Sequence, residues 1–225
     1  MKLIYKIHRS FLRHNSFLRY QYPPPNPDFK IRLFCHNDRD KVRDLYKLNE
    51  FDRFPEGNLI SFNKYLESSP QSFFVAELNG KEIVACGGVV AIGTQFHTIC
   101  YLLVDPAFHN CGIGSNLAIA LIAFATRDNE VNFSFVYAVD KSMEFWERFS
   151  YSSGAKWKAT DGKYYPICAF AYSKELMKPV IKVLKKRGHL IDPNLPINYD
   201  EDVNPFIAVK IDNNKYEIEL KQPIL

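Results

Sequence analysis

The 225-residue sequence has no long apolar run: its longest unbroken stretch, Leu117 to Ala125, covers nine residues. A membrane-crossing helix needs roughly 18 or more, so no segment reads as bilayer-spanning. Paired cysteines are also missing. Cys35, Cys86, Cys100, Cys111 and Cys168 stand singly, without the CxxC spacing of zinc ribbons or thioredoxin-like motifs, and no metal is expected. The odd count, with no secretory n-region, h-region and cleavage site, predicts a reducing compartment and a cytoplasmic location. No GxxxxGK[ST] occurs, and no GxGxxG is followed by an acidic residue about 20 positions on, so the usual ATP and dinucleotide loops are excluded.

Charge of one sign is scarce overall, with a net charge of +4. Five of the 29 basic residues (Lys2, Lys6, Arg9, Arg13, Arg19) fall within residues 1–27, which hold no acid; elsewhere 24 basic side chains face 25 acidic ones. A global case for nucleic-acid binding is therefore absent. What is present is a 47% hydrophobic, 24% charged composition, that of a folded protein. A chain of this length buries roughly 70–75% of its unfolded surface and needs neither disulfide nor metal to hold a core. One domain with extensions is expected.

Leu3, Ile7, Phe11 and Leu18 share a helical face with basic residues between them, which predicts an amphipathic N-terminal helix ended by Pro23, Pro24, Pro25 and Pro27. That helix is either docked on the body, offered to RNA phosphates or an anionic membrane, or an arginine-bearing, serine-poor organelle-targeting peptide. Beyond it the pattern predicts a strand at 30–34, a helix at 38–49, a second helix opened by Asn58 or Ser61 and running to about Leu66, and a hairpin of 73–77 with 83–90 about the Asn79-Gly80 turn. A strand at 96–104 stops at Asp105-Pro106. A strongly apolar helix to Ala125, a strand at 133–139, a helix at 141–149 and strands at 151–157 and 166–172 follow. A basic amphipathic helix at 174–188 and a hairpin of 206–211 with 216–220 complete the chain.

The informative stretch runs from Leu102 to Ser115, where a strand ends and a helix begins across a turn holding Gly112 and Gly114. Glycines let main-chain N–H groups approach a phosphate, and the positive end of the helix favours an anion. By itself a GxG before a helix is also what any tight turn shows.

Val104-Asp105-Pro106 followed by His109-Asn110-Cys111-Gly112-Ile113-Gly114 resembles the Val-x-Pro strand end and the (Gln/Arg)-x-x-Gly-x-(Gly/Ala) loop of the GNAT superfamily of acyl-CoA-dependent N-acetyltransferases. Phe145-Trp146-Glu147-Arg148-Phe149-Ser150-Tyr151 is similar to that family's downstream aromatic segment. The resemblance covers residues 30–172. It implies an α/β (α+β) fold: a mixed, mostly antiparallel sheet flanked by helices and splayed between its fourth and fifth strands. The implied organisation is a basic helix and proline linker at 1–29, an N-acetyltransferase domain at 30–173 and a helix-plus-hairpin extension at 174–225.

It further implies acetyl-CoA as acyl donor and an amine as acceptor, with the main chain of Leu102, Leu103 and Val104 holding the pantetheine arm. The amides of Asn110, Cys111, Gly112, Ile113, Gly114 and Ser115 would hold the pyrophosphate, with His109 and Cys111 of the same loop in place of the usual basic residues, and Trp146 would line the site. Candidate bases are Glu77, His97 and Tyr101, since an amine of pKa about 10.4 must lose a proton before it attacks. The family's acid, a tyrosine, aligns with Trp146, whose indole N–H is not released near neutral pH. Ser142, Tyr137, Tyr151 or water are the substitutes, and the family asparagine position falls on Val139 beside Asp140. Cys111 reads as a loop side chain. Two functions remain open: an N-acetyltransferase, or a catalytically degenerate acyl-CoA-binding or protein-interaction module on the same fold. The acceptor and the oligomeric state are not written in the sequence; Arg53–Leu66 and 158–165 are the expected acceptor loops.

Overall fold

The hairpin signal Asn79-Gly80 does what its residue types allow: both positions take positive φ (50° and 68°), the geometry of a tight turn that follows the twist of its strands. It joins β2 (Phe73–Leu78) to β3 (Glu82–Ile92) in a computed structural model that describes residues 27–54, 57–68, 70–92, 96–127, 131–139, 142–149, 151–158, 162–199, 206–211 and 215–220. The expected N-terminal helix lies outside the described residues.

β1 (Lys30–Leu33) pairs antiparallel with β2, β2 with β3, and β3 with β4 (Phe96–Val104). β5 (Val131–Tyr137) runs parallel to β4; β7 (Tyr164–Ser173) then inserts between β5 and β6 (Ser152–Lys158), antiparallel to both. The sheet order is β1-β2-β3-β4-β5-β7-β6, mixed and mostly antiparallel as expected. A two-residue strand that the sequence pattern did not suggest, β8 (Asn198–Tyr199), lies parallel to β3 at Val90 and Ala91, beyond the point where β2 begins. The C-terminal hairpin forms as a separate ribbon of β9 (Phe206–Ile211) and β10 (Lys215–Leu220).

Helices cover both faces. α1 (Arg39–Arg53) and α2 (Asn58–Glu67) lie on one side, where Val42, Leu45, Tyr46, Phe62, Tyr65 and Leu66 pack on Phe73, Val75, Cys86 and Leu103. α3 (Ile113–Ala125) fills the other. Its residues from Asn116 to Ala125 are all buried, as an all-round apolar helix requires, between the sheet and α5 (Lys174–Arg187). α5 presents Met177, Val180 and Leu184 to that core at helical spacing. The helix expected at 141–149 shortens to α4 (Met143–Glu147), because Ser142 closes a turn onto Val139 before it. Among the described residues no helix is long and apolar enough to cross a membrane.

Candidate functional site

β4 keeps different company along its length. Its pairing with β5 runs from Phe96 opposite Phe133 to Ile99 opposite Val136 and goes no further, while β4 continues against β3 to Val104. The two strands part there, leaving residues 100–104 unpaired on the β5 side. A bulge sits at the apex. Cys86 faces Leu103 and Gly88 faces Cys100, so Tyr101 and Leu102 together oppose Gly87. Tyr101 takes a φ of +48°, a conformation costly for a bulky residue, and its side chain joins that of Cys100 in the cluster beneath α1 and α2.

The glycine pair opposite the bulge makes this possible. A Cβ on Gly87 would stand 2.9 Å from Leu121 Cδ1 of α3, and one on Gly88 would stand 2.7 Å from Phe73 Cδ2 and 2.8 Å from the Tyr65 hydroxyl. Each glycine thus admits close packing on one face of the sheet. Two adjacent glycines inside a strand of β-branched residues were the available sequence signal for this bulge.

Beyond Val104 the turn holds its shape partly with its own amides: the His109 N–H bonds the Pro106 carbonyl (3.2 Å) and the Cys111 N–H the Phe108 carbonyl (3.4 Å), so these two donors are already engaged. Asp105 accepts from the Ala107 amide (2.8 Å), and Pro106 opens a single 3-10 turn. His109 donates through Nε2 to the Val104 carbonyl (3.2 Å), which also receives Asn49 Nδ2 (3.1 Å). That carbonyl is therefore engaged twice, and His109, the residue in place of the family's Gln or Arg, ties the loop to the strand. Asn110 (φ +62°) and Gly112 (φ +78°) reverse the chain into α3, and Gly112 stands at the N-cap with no side-chain cap. A Cβ on Gly114 would meet Val104 Cγ2 at 3.0 Å, so the helix start lies against the end of β4.

Uncapped first-turn amides at Ile113, Gly114 and Ser115, with two left-handed residues before them, are a main-chain cradle for an anion. The cradle opens where β4 and β5 have separated. The residues present thus fit a phosphate-bearing group with an extended arm.

The four candidate acid–base side chains are not brought together. Glu77 accepts from Arg32 Nε (2.7 Å), and the same guanidinium bonds Asp38 (2.6 Å) at the start of α1. Burial raises the Asp38 carboxyl, but hydrogen bonds from Arg32 and the Cys35 amide outweigh it and hold the group below the ordinary carboxylate range. His97 is buried in the stretch where β4 and β5 are still paired, opposite Ser134. Tyr101 lies at the bulge with a buried hydroxyl that finds no hydrogen-bond partner among the described residues. Burial drives its pKa upward, and a phenol so placed is a poor base. Ser142 Oγ donates to the Val139 carbonyl (2.9 Å).

Trp146 is buried in the α3-side core, edge-on to Phe145 (5.1 Å) and Tyr151 (5.3 Å). Of the substitute acids, Tyr151 is fully engaged inside the fold, donating to Ser134 Oγ (2.6 Å). Tyr137 is one residue past the last β4–β5 pair, on the wall of the split, and burial raises its pKa. Cys111 is a half-buried free thiol of the turn. Asp140 lies outside the described residues. Among the described residues no group of three His, Cys, Asp or Glu side chains is arranged to hold a metal ion.

No curated protein sequence matches the chain. Solved structures similar in fold include Mycobacterium tuberculosis Rv2747 in complex with CoA and NLQ (20% identity, TM-score 0.51, covering 63% of this chain and 98% of that one). A Lactobacillus plantarum structure described as an N-acetyltransferase has 15% identity and a TM-score of 0.54, over 64% of this chain and 98% of its own. Aminoglycoside acetyltransferase AAC(6')-Ib, solved with coenzyme A and kanamycin, has 17% identity and a TM-score of 0.50, over 68% and 98%. At these identities the likeness concerns the fold. The sequence itself matches the profile of the acetyltransferase (GNAT) family over residues 39–151, from the first residue of α1 to the entry of β6, and the chain belongs to that family.

Proposed function

We propose that the chain transfers an acetyl group from acetyl-CoA to an amine by direct attack, with residues 30–173 as the transferase unit and 174–225 as an extension. The observation that carries this reading is the coincidence of the β4–β5 split with the uncapped start of α3. Two of the fold's solved relatives bind coenzyme A, one of them beside kanamycin, which supports a CoA donor and an amine acceptor.

In this reading the amides of Asn110 and of residues 112–115 hold the pyrophosphate, those of His109 and Cys111 being held by the Pro106 and Phe108 carbonyls, and the main chain of Leu102, Leu103 and the Val104 N–H lines the pantetheine arm and polarises the thioester carbonyl. The amine nitrogen forms a bond to the carbonyl carbon, the carbon–sulfur bond breaks, the amine releases a proton and the departing thiolate takes one up. With Glu77 held by Arg32 and Ser142 by Val139, those protons pass through water or Tyr137, and rate comes chiefly from positioning. Five free thiols suit a reducing compartment, and the cytoplasm is part of the proposal.

The second reading is an acyl-CoA-binding module without turnover. It is favoured by Trp146, a core aromatic at the position where the family carries its acid. Calorimetric titration with acetyl-CoA, CoA and ATP tests the shared premise: selective binding of the first two is expected, and equal affinity for ATP or no binding overturns it. Thiol release with a panel of amines then separates the readings, since a protein that binds without releasing CoA to any acceptor is the module.

A further inference from the structure

We infer that Arg187, from the C-terminal extension, is a positioning residue for the anion-binding turn, acting on Gly112 through Asn116. The inference rests on the acetyl-CoA reading above. Arg187 lies outside the span matched by the family profile, and its link to the turn is one of tertiary structure.

The stripe that docks α5 on α3 runs through Met177, Val180 and Leu184, and the next position at that spacing is Arg187. Its guanidinium Nη1 donates to Asn116 Oδ1 (2.9 Å), and Asn116 Nδ2 donates to the Gly112 carbonyl (2.7 Å). A guanidinium only donates and a carbonyl only accepts, so these two partners fix which way the Asn116 amide faces. The Asn116 main-chain N–H also bonds the Gly112 carbonyl (3.0 Å), so one peptide at the N-cap is gripped twice from below. Gly112 is the left-handed residue that turns the loop amides toward the mouth of the split.

Arg187 is itself held in place. Gly188 (φ +70°) ends α5, with its N–H on the Lys185 carbonyl and the His189 N–H on the Leu184 carbonyl, a Schellman closure. The buried His189 ring then stacks on Phe29 at 4.3 Å and bonds the Phe29 carbonyl at 3.0 Å. The last turn of α5 is thereby clamped to the start of the domain, and Arg187 reaches Asn116 from a fixed base. A polar side chain at the all-buried Asn116 position is explained by this relay; a leucine there would suit the core and leave the Gly112 carbonyl held by the main-chain N–H alone.

The test compares wild type, Arg187→Met and Arg187→Lys by calorimetry with acetyl-CoA, dephospho-CoA and S-acetyl-pantetheine, alongside thermal denaturation. Dephospho-CoA keeps the pyrophosphate, and S-acetyl-pantetheine does not. Loss of a charge-assisted bond that orders the turn is expected to weaken acetyl-CoA and dephospho-CoA alike by about tenfold in Arg187→Met and about threefold in Arg187→Lys, with S-acetyl-pantetheine unchanged. Should Arg187→Met not fold, Arg187→Lys carries the same comparison. Unchanged affinities, equal losses on all three ligands, or a loss confined to acetyl-CoA overturn the inference, the last because it marks a direct contact to the remaining phosphate. If wild type binds none of the three, the acetyl-CoA reading fails and this inference falls with it; if wild type binds and the variants bind equally, only this inference fails.

Discussion

The two ends of the β4 split are built from different materials. At the mouth, Asp105, His109, Asn49 and Asn116 all spend their side chains on main-chain partners, and the groups left to face a ligand are amides. At the apex the polar side chains of His97 and Tyr101 are buried, and around Tyr101 stand Phe54, Phe62 and Tyr65 at 4.6–6.3 Å between ring centroids. The contrast separates two kinds of sequence constraint. A cradle of amides needs certain backbone angles and tolerates many residues, whereas proton transfer needs particular side chains with free lone pairs. A chain can therefore keep the first while its second diverges.

The largest effect is expected at the mouth. Gly112→Asp puts a Cβ on a residue at φ +78° and a carboxylate into the anion cradle, and acetyl-CoA affinity should fall about a hundredfold or more by calorimetry. Retained affinity would dissolve the distinction between mouth and apex. At the apex the expected cost is to the fold: Gly88→Ala drives a methyl group into the Phe73 and Tyr65 rings and should lower stability by about 1–3 kcal/mol in urea denaturation. Gly87→Ala, whose nearest contacts are the movable tips of Leu121 and Leu102, should cost less.

Trp146→Tyr sharpens the contrast further. If rate comes from positioning, replacing this core aromatic should change turnover by less than about tenfold at constant acetyl-CoA affinity, below the roughly 10²–10⁴ contribution of a working acid. A larger rise would mark the native site as degenerate.

Smaller effects come from pH. Burial depresses the His189 pKa, against hydrogen bonding to Phe29 and the nearby Asp28, so the unfolded chain takes up its proton first. Stability from this group is complete above the ordinary histidine value of about 6.5 and is lost as pH falls through it toward the lower native value. Wild type should therefore lose thermal stability between pH 7 and 5, and His189→Gln should show a flatter profile. The depressed Asp38 carboxyl adds a second loss below about pH 4, again because its native pKa lies under its unfolded one. Smallest of all, Glu77→Gln should alter kcat/KM by less than about threefold, since Arg32 already occupies that carboxylate.

Most of the fold was legible because its signals are local. Alternation, aromatic and β-branched content and turn signals together predicted nine of the ten strands among the described residues, Asn79-Gly80 the hairpin, and the run from Leu117 to Ala125 the buried helix. β8 was not legible, since two residues of Asn-Tyr carry no period. The insertion of β7 between β5 and β6 is a pairing choice that no local pattern encodes. At the site, Gly112 and Gly114 announced the turn through their spacing. The grip of Arg187 on Asn116 joins residues 71 positions apart, and nothing near either one signals the other. His109 was legible as a departure from the family pattern; its bond back to Val104 needed the turn to be folded.

Gly87 lacks a side chain toward α3 and Gly88 lacks one toward the aromatic cluster under α2, so at this pair β3 offers only main chain to either core. The two cores are separated there by their thinnest partition. Whatever shifts Leu121 on one side has no cushioning side chain between it and the bulge on the other, and this spot is where crowding in the one half of the molecule is most directly felt as a change of shape in the other.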